Sequence, residues 1–241
     1  QTVLGVMTGG EYISHDLELG LRVHRDQEDR FQWEDGYRMN DGVMDRTSEG
    51  LPGSQSNRVS DAEAVALYVQ DEISVGPWTF TPGLRFEHVD FTRTDYAKND
   101  LDRESLDRVR RNGVTAWVPG LGTSLRVGGG LNLFGGVHRG FAPPGPGADD
   151  ETEVESSLNI ELGGRYRRSG LVVQATGFLS DYSNILGNAT LANSEDGSGQ
   201  VFNGGEVDVL GVEFTTDYDL AWRTDWSLRL PVRTAYTYTL A

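Results

Sequence analysis

Cysteine is absent from the 241 residues, so neither a disulfide framework nor a thiolate metal site exists. Long apolar runs are missing as well. Nowhere are there about 20 consecutive apolar residues, the length a helix needs to cross a bilayer, so a helical membrane protein is excluded. Positive charge is scarce: 21 Lys and Arg stand against 37 Asp and Glu, for a net charge of −16 and a pI near 4.6. That balance argues against binding nucleic acid through its phosphates. A hydrophobic fraction of 37% and a mean hydropathy of −0.44 look too polar for a membrane protein. A transmembrane strand, however, needs apolar residues only at alternate positions, because its other face lines a polar lumen. The chain starts at Gln1 without a charged-then-apolar leader, which is read as processing or, preferably, as a fragment.

What is present is two-residue periodicity. Leu17, Leu19, Leu21 and Val23 share one face, against Glu18, Gly20, Arg22 and His24. Trp78, Phe80, Leu84 and Phe86 oppose Thr79, Thr81, Gly83, Arg85 and Glu87, and Leu158, Ile160, Leu162 and Tyr166 oppose Asn159, Glu161, Arg165 and Arg167. Trp226, Leu228, Leu230, Val232, Tyr236, Tyr238 and Leu240 alternate with Ser227, Arg229, Arg233, Thr237 and Thr239. The pattern predicts strands near 1–7, 12–26, 61–73, 78–94, 113–127, 131–141, 156–168, 171–184, 204–218 and 226–240. Such lengths exceed the usual five or six residues and suit strands tilted across a bilayer.

The connections alternate too. Long polar stretches from Asp26 to Ser60, Asp95 to Asn112, Ala142 to Glu155 and Ile185 to Asn203 interleave with tiny ones at Ser74–Pro77, Gly128–Gly130 and Arg168–Gly170, followed by a shorter one at Asp219–Asp225. All long loops then lie at one end of an antiparallel array, the pattern of an outer-membrane barrel. Trp78, Trp222 and Trp226 near short turns, with Trp117, Tyr236 and Tyr238 towards long loops, fit two interfacial girdles, although ordinary β-propensity places aromatics similarly. Three prolines (Pro82, Pro119, Pro231) fall inside predicted strands, where each needs a bulge or an edge. The 171–184 segment alternates poorly, because Val172 and Phe178 oppose Leu171, Val173 and Leu179.

Catalytic signals are thin. His15, His24, His88 and His138 are not at ligand spacing, and His24 and His88 face opposite sides of their strands by alternation. A barrel hydrolase using His138 or His24 is the enzymatic alternative, but nothing resembles a nucleophile elbow. Gly128–Gly130 and Gly135-Gly136 lack the strand–helix context of phosphate loops.

Several stretches, in succession, resemble the barrel of TonB-dependent receptors: Ala66-Leu67-Tyr68-Val69-Gln70-Asp71-Glu72, Trp78-Thr79-Phe80-Thr81-Pro82-Gly83-Leu84-Arg85-Phe86-Glu87, Gly140-Phe141-Ala142-Pro143-Pro144, Glu155-Ser156-Ser157-Leu158-Asn159-Ile160-Glu161-Leu162-Gly163, Ser180-Asp181-Tyr182-Ser183-Asn184-Ile185 and Asn203-Gly204-Gly205-Glu206-Val207-Asp208-Val209-Leu210-Gly211-Val212-Glu213. Within that family, Phe31 to Met39 and Gly53-Ser54-Gln55-Ser56-Asn57-Arg58 look most like the ferric dicitrate branch. The resemblance implies an all-β fold, with residues 1–241 forming about ten antiparallel strands of a larger transmembrane β-barrel. The plug domain, the TonB box and the C-terminal strands are expected outside this stretch.

It also implies uptake of an iron chelate, a siderophore or ferric citrate, in the outer membrane of a Gram-negative cell, with no enzymatic step. Iron is then chelated substrate, with no cofactor and no resident metal. Expected partners are the TonB complex, reached through the missing N-terminal region, and outer-membrane lipid and lipopolysaccharide, but not nucleic acid. An anionic chelate calls for guanidinium donors, for which Arg38, Arg46, Arg58 and Arg139 are the candidates; each could equally balance neighbouring acids on a solvated loop. Acidic residues crowd the same loops (Glu28, Asp29, Glu34, Asp35, Asp41, Asp45 and Glu49, then Asp149, Asp150, Glu151, Glu153 and Glu155). They repel anions at long range and are open to solvation, lipopolysaccharide bridging or Ca²⁺. A complete small barrel with an adhesive or structural role is the alternative of a different class.

Overall fold

A computed structural model describes residues 1–149, 152–188, 201–222 and 229–241. Fourteen strands occur among them: β1 Thr2–Gly9, β2 Ile13–Gln32, β3 Gly36–Asn40, β4 Val43–Ser48, β5 Ser56–Val75, β6 Trp78–Tyr96, β7 Leu106–Gly128, β8 Leu131–Ala142, β9 Glu155–Arg168, β10 Leu171–Ser183, β11 Leu186–Asn188, β12 Val201–Asn203, β13 Val207–Asp219 and β14 Pro231–Leu240. Ten of them form one antiparallel sheet in the order β1-β2-β5-β6-β7-β8-β9-β10-β13-β14, and β3–β4 and β11–β12 are separate hairpins within long loops.

Cross-strand register explains why the alternation persists from strand to strand. Leu121, Val137, Ile160, Leu179, Leu210 and Leu240 are successive Cα partners across six strands, and Leu21, Leu67, Phe86 and Trp117 form a matching row across four. A slip of one residue would turn any of these sets onto the other face. The opposite face carries Glu18, Gln70, His138, Asn159 and Ser180. The apolar face is open: Leu19 and Leu84 are each 40% exposed and Leu162 72%. Among the described residues no large side chain is fully buried, so this sheet has no dry core of the kind that holds a soluble sandwich together. Its apolar side chains need another solvent, and hydrocarbon meets that need.

The apolar band has the dimensions of a membrane. On β2 it runs from Ile13 to Val23, about 33 Å along the strand and roughly 25 Å across at a tilt near 40°. Aromatic side chains mark its ends. Trp78 lies beside the Gly76-Pro77 turn with its ring stacked on Phe80 at 5.8 Å, and Trp117 packs on Phe86 at 4.8 Å at the far side. Within the band, His15 donates to or accepts from Asp71 at 2.7 Å on the apolar face, so neither polar group meets lipid alone.

The short turns are built for hairpins. Ser169 and Gly170 both have positive φ (45° and 79°), the two-residue turn that matches strand twist. The prolines occupy breaks in the ladder. Pairing of β5 with β6 skips from Gln70↔Gly83 to Ile73↔Phe80 around Pro82, pairing of β7 with β8 begins only at Gly120↔His138, just past Pro119, and Pro231 opens β14. The irregular β10 keeps its register because Phe178 lies over Gly211, where a Cβ would meet its ring at 2.6 Å. An aromatic on the polar face is thus absorbed by a glycine on the next strand.

One difference from the sequence reading stands out. The stretch expected as a polar loop from Asp26 to Ser60 is strand up to Gln32 and again from Ser56. Apolar alternation stops at Val23 and Val65, which are paired, yet the ladder continues for nine more pairs with polar residues on both faces. These strand tops stand about 30 Å beyond the apolar band. The last strand is described from Pro231; Trp226 to Leu228 lie outside the described residues.

Candidate functional site

On the polar face, beyond the apolar band, the strand tops bring arginines together. Arg30 pairs across to Arg58 and Arg58 to Asp95, while Glu28 pairs to Ser60, Ser60 to Arg93 and Arg93 to Arg110. Four guanidiniums share two carboxylates. Arg93 donates to Asp95 from Nε at 2.9 Å and Nη2 at 2.7 Å, Arg110 Nη2 reaches the same carboxylate at 3.2 Å, and Arg30 reaches Glu28 at 2.6 Å, with Arg58 3.9 Å from it. Arg58, Arg93 and Arg110 side chains are only about a fifth exposed. Nε of Arg58 and Nε of Arg110 are buried and have no hydrogen-bond partner among the described residues. Burial, followed by the charges of Arg93 and Arg30, lowers the pKa of Arg58 from its ordinary value. Positive charge that exceeds its counter-charge, with donors left over, is the arrangement that an incoming anion completes. Lys98 is the only lysine in the chain, so anion recognition here would rest on planar, two-point donors rather than point charges.

Of the four arginines expected from sequence, only Arg58 is in this cluster. Arg38 and Arg46 stand on the β3–β4 hairpin, where Arg46 faces Asp35 at 3.4 Å and Glu49 at 3.6 Å. Arg139 pairs with Leu158 and shares the apolar face with Val137. Arg30, Arg93 and Arg110 were not singled out, because the ends of apolar alternation hid the strand tops. Two-residue spacing of charged groups past each apolar run (Asp26, Glu28, Arg30; Arg93, Asp95; Arg108, Arg110, Asn112) was the signal available.

A second assembly fixes a neighbouring loop. Asn57, 5% exposed, donates to the carbonyls of Ala97 and Asp100 at 3.1 and 2.8 Å and accepts from Arg103 Nε at 2.8 Å. Arg103 grips Asp29 with both terminal nitrogens, at 3.0 and 2.5 Å, and lies 5.4 Å from the ring centres of Phe31 and Tyr96. Asn57→Ala leaves two carbonyls and one guanidinium nitrogen short of partners and is expected to destabilise this loop by about 2–4 kcal/mol, read as faster proteolysis within 97–105. The hydrogen bond from Arg103 holds the Asp29 carboxyl below the ordinary carboxylate range. The linkage has a definite sign. The contribution is complete above the unfolded pKa near 3.9 and disappears as pH falls through the lower folded value. Loop protection is therefore expected to be flat from pH 8 to 5 and to fall only below about 4.

The histidines do not assemble a catalytic set. His24 lies 3.2 Å from Asp26, His88 bonds Thr115 at 2.8 Å on the other face, and among the described residues neither His24 nor His138 is bonded to a serine. Among the described residues no three His, Asp or Glu side chains converge as a metal site; Asp150 and Glu151 of the acidic loop lie outside them.

Comparison with known proteins decides the family. A family model described as TonB dependent receptor-like, beta-barrel, matches residues 4–241. The chain belongs to this family. Two curated relatives from Pseudomonas aeruginosa are the "Ferric enterobactin receptor PirA", 28% identical over 224 residues, and a "Ferric enterobactin receptor", 26% identical over 217. These matches cover 76% and 75% of this chain but only 27% and 26% of the relatives. The unliganded ferric citrate transporter FecA matches 98% of this chain with a TM-score of 0.69 at 20% identity, and the siderophore receptor PiuA from Acinetobacter baumannii 98% with 0.72 at 13%. The chain spans 34% and 37% of those two structures. It has the fold of a TonB-dependent barrel wall, with the apolar face outward and the polar face inward.

Proposed function

We propose that this chain is part of the wall of an outer-membrane receptor that imports an anionic iron chelate. The observation that carries the proposal is the inward cluster of Arg30, Arg58, Arg93 and Arg110, whose guanidinium donors outnumber the carboxylates Glu28 and Asp95 that they contact. A chelate presenting several carboxylate or catecholate oxygens meets those donors at the outer mouth of the lumen. It then passes a polar inner wall, along which Arg85 pairs with Glu87, Arg165 with Gln174 and Arg233 with Asp217. The work is binding and transport, without bond chemistry; iron is cargo.

The remaining parts of the machine, a plug domain and a TonB-binding segment, are proposed to lie outside this stretch. Arg38 and Arg46 on their hairpin are proposed as approach residues, met before the cluster. Arg139, on the outward face, suits a different anion. This arginine follows Val137 on the apolar face and is proposed to meet the phosphates of lipopolysaccharide.

The test is transport by the intact receptor. A strain lacking its iron receptors and expressing this one is expected to accumulate ⁵⁵Fe from ferric citrate or ferric enterobactin in a manner abolished by loss of TonB. Absence of uptake for both chelates, with the receptor present in the membrane, would reject the assignment. Uptake of one alone would settle whether the citrate-like motifs or the enterobactin relatives point to the cargo.

A further inference from the structure

The stretch following β8 does not extend outward as a free loop. Above Gly120, β7 loses β8 as a neighbour, and the chain from Pro143 to Asp149 crosses to the inner face of β7 instead. Asn112 holds it at two points: its Oδ1 accepts from Gly147 N at 3.1 Å and its Nδ2 donates to Gly145 O at 3.4 Å. Arg110 Nη1 donates to Gly147 O at 2.7 Å. A turn closes within the segment, from Ala148 N to Gly145 O at 3.2 Å. Pro144, Gly147 and Ala148 are buried, and so is Val114, two residues along from Asn112 on the same face. An inward patch of apolar burial in a polar lumen has a physical reason if the segment rests there permanently.

Gly147 is the tightest point. Its φ is +83°, and a Cβ would stand 2.6 Å from Cδ of Arg93 and 3.3 Å from Cζ of Arg110. The segment therefore packs directly on the two arginines that share Asp95.

We propose that residues 143–149 form a fixed constriction, docked on the inner wall by Asn112 and Arg110, that positions the Arg93 and Arg110 guanidiniums and limits the size of the anion reaching them. The size-limiting role rests on the arginine cluster being the chelate site; the docking does not. With the segment in place, Arg110 has its terminal nitrogens committed to Gly147 and Asp95, and the approach is narrowed on the β7 side. Three prolines in Pro143-Pro144-Gly145-Pro146-Gly147 reduce the freedom the backbone would lose on docking.

Thiol labelling in the intact receptor separates the two parts. The chain contains no cysteine, so Ala148→Cys and, at the exposed tip of the β3–β4 hairpin, Met44→Cys each introduce a single thiol into it. A membrane-impermeant maleimide is expected to modify Cys at 148 at least about tenfold more slowly than Cys at 44. Adding Asn112→Ala, which removes two hydrogen bonds, is expected to raise the rate at 148 roughly tenfold or more. Gly147→Ala should do the same without altering a strand. Equal rates at 148 and 44 in the otherwise native receptor would overturn the docking. In binding assays with ferric citrate and the larger ferric enterobactin, both release variants are expected to shift relative affinity towards ferric enterobactin by about tenfold. An unchanged ratio, with labelling at 148 accelerated, would overturn the size-limiting role. If Arg93→Ala binds both chelates at native affinity, the anion-site reading falls while the labelling result stands on its own.

Discussion

Leu84→Arg is expected to prevent most of the receptor from assembling in a membrane. Leu84 sits in the middle of the outward apolar band, with Val69 and Pro119 as its partners, and is 40% exposed to what must be lipid. An arginine near the bilayer midplane on the lipid face of a barrel costs about 2–4 kcal/mol, a thirtyfold to several-hundredfold shift in the folding equilibrium. The control lies three residues away. Thr81 is on the inward face opposite Gly122, and Thr81→Arg places the same charge in a wet lumen, where the expected change is within about 0.5 kcal/mol. Refolding of the two variants into lipid vesicles, followed by gel mobility with and without heating, measures the difference. Similar yields would mean that the apolar face does not contact hydrocarbon. A soluble sandwich with Leu84 in a dry core predicts the same contrast in detergent-free buffer without lipid, where the wall of a barrel is not expected to fold.

The ten wall strands were legible because a bilayer imposes a simple rule: each spanning strand must show lipid a side chain at every second residue, so Leu19, Leu84, Leu162 and Leu240 announce themselves. The hairpin turns were legible from Ser169-Gly170 and Gly128 to Gly130. Outside the bilayer the rule lapses. Arg25, Gln27 and Asp29 on β2 face water just as Glu28 and Arg30 do, so no hydrophobic period betrays that the strand continues. The arginine cluster lies in that zone and depends on register between residues distant in sequence, which pairs Arg58 with Asp95 and Arg93 with Arg110. Of the loop arginines, Arg58 alone falls in the cluster. The physical content of the Asn57-Arg58 motif is that successive residues point to opposite faces. Asn57 ties down the 97–105 loop outside, and Arg58 enters the cluster inside.

The double variant Arg93→Ala/Arg110→Ala is expected to show the largest loss of ligand binding. Each charge-assisted hydrogen bond to an anion is worth about 1.5–3 kcal/mol, so removing two donors weakens an anionic chelate by roughly a hundredfold to ten-thousandfold. Loss of Arg110 also removes the contact to Gly147 O, which adds to the effect rather than opposing it. Asp95 then loses three hydrogen bonds, and the cluster keeps two guanidiniums against two carboxylates, without the excess positive charge that would attract an anion. Arg93→Lys separates charge from geometry, since it keeps the cation but not the planar fork that spans Asp95. Its affinity should fall between those of the native receptor and the double variant. Arg46→Ala, on an exposed hairpin and already engaged by Asp35 and Glu49, should slow association a few-fold at low salt and lose its effect as salt screens it. Titration of the intact receptor with ferric citrate and ferric enterobactin by fluorescence quenching distinguishes these outcomes. If the double variant binds both chelates as the native receptor does, the excess guanidinium charge at the mouth of the lumen serves the wall itself and the cargo is recognised elsewhere.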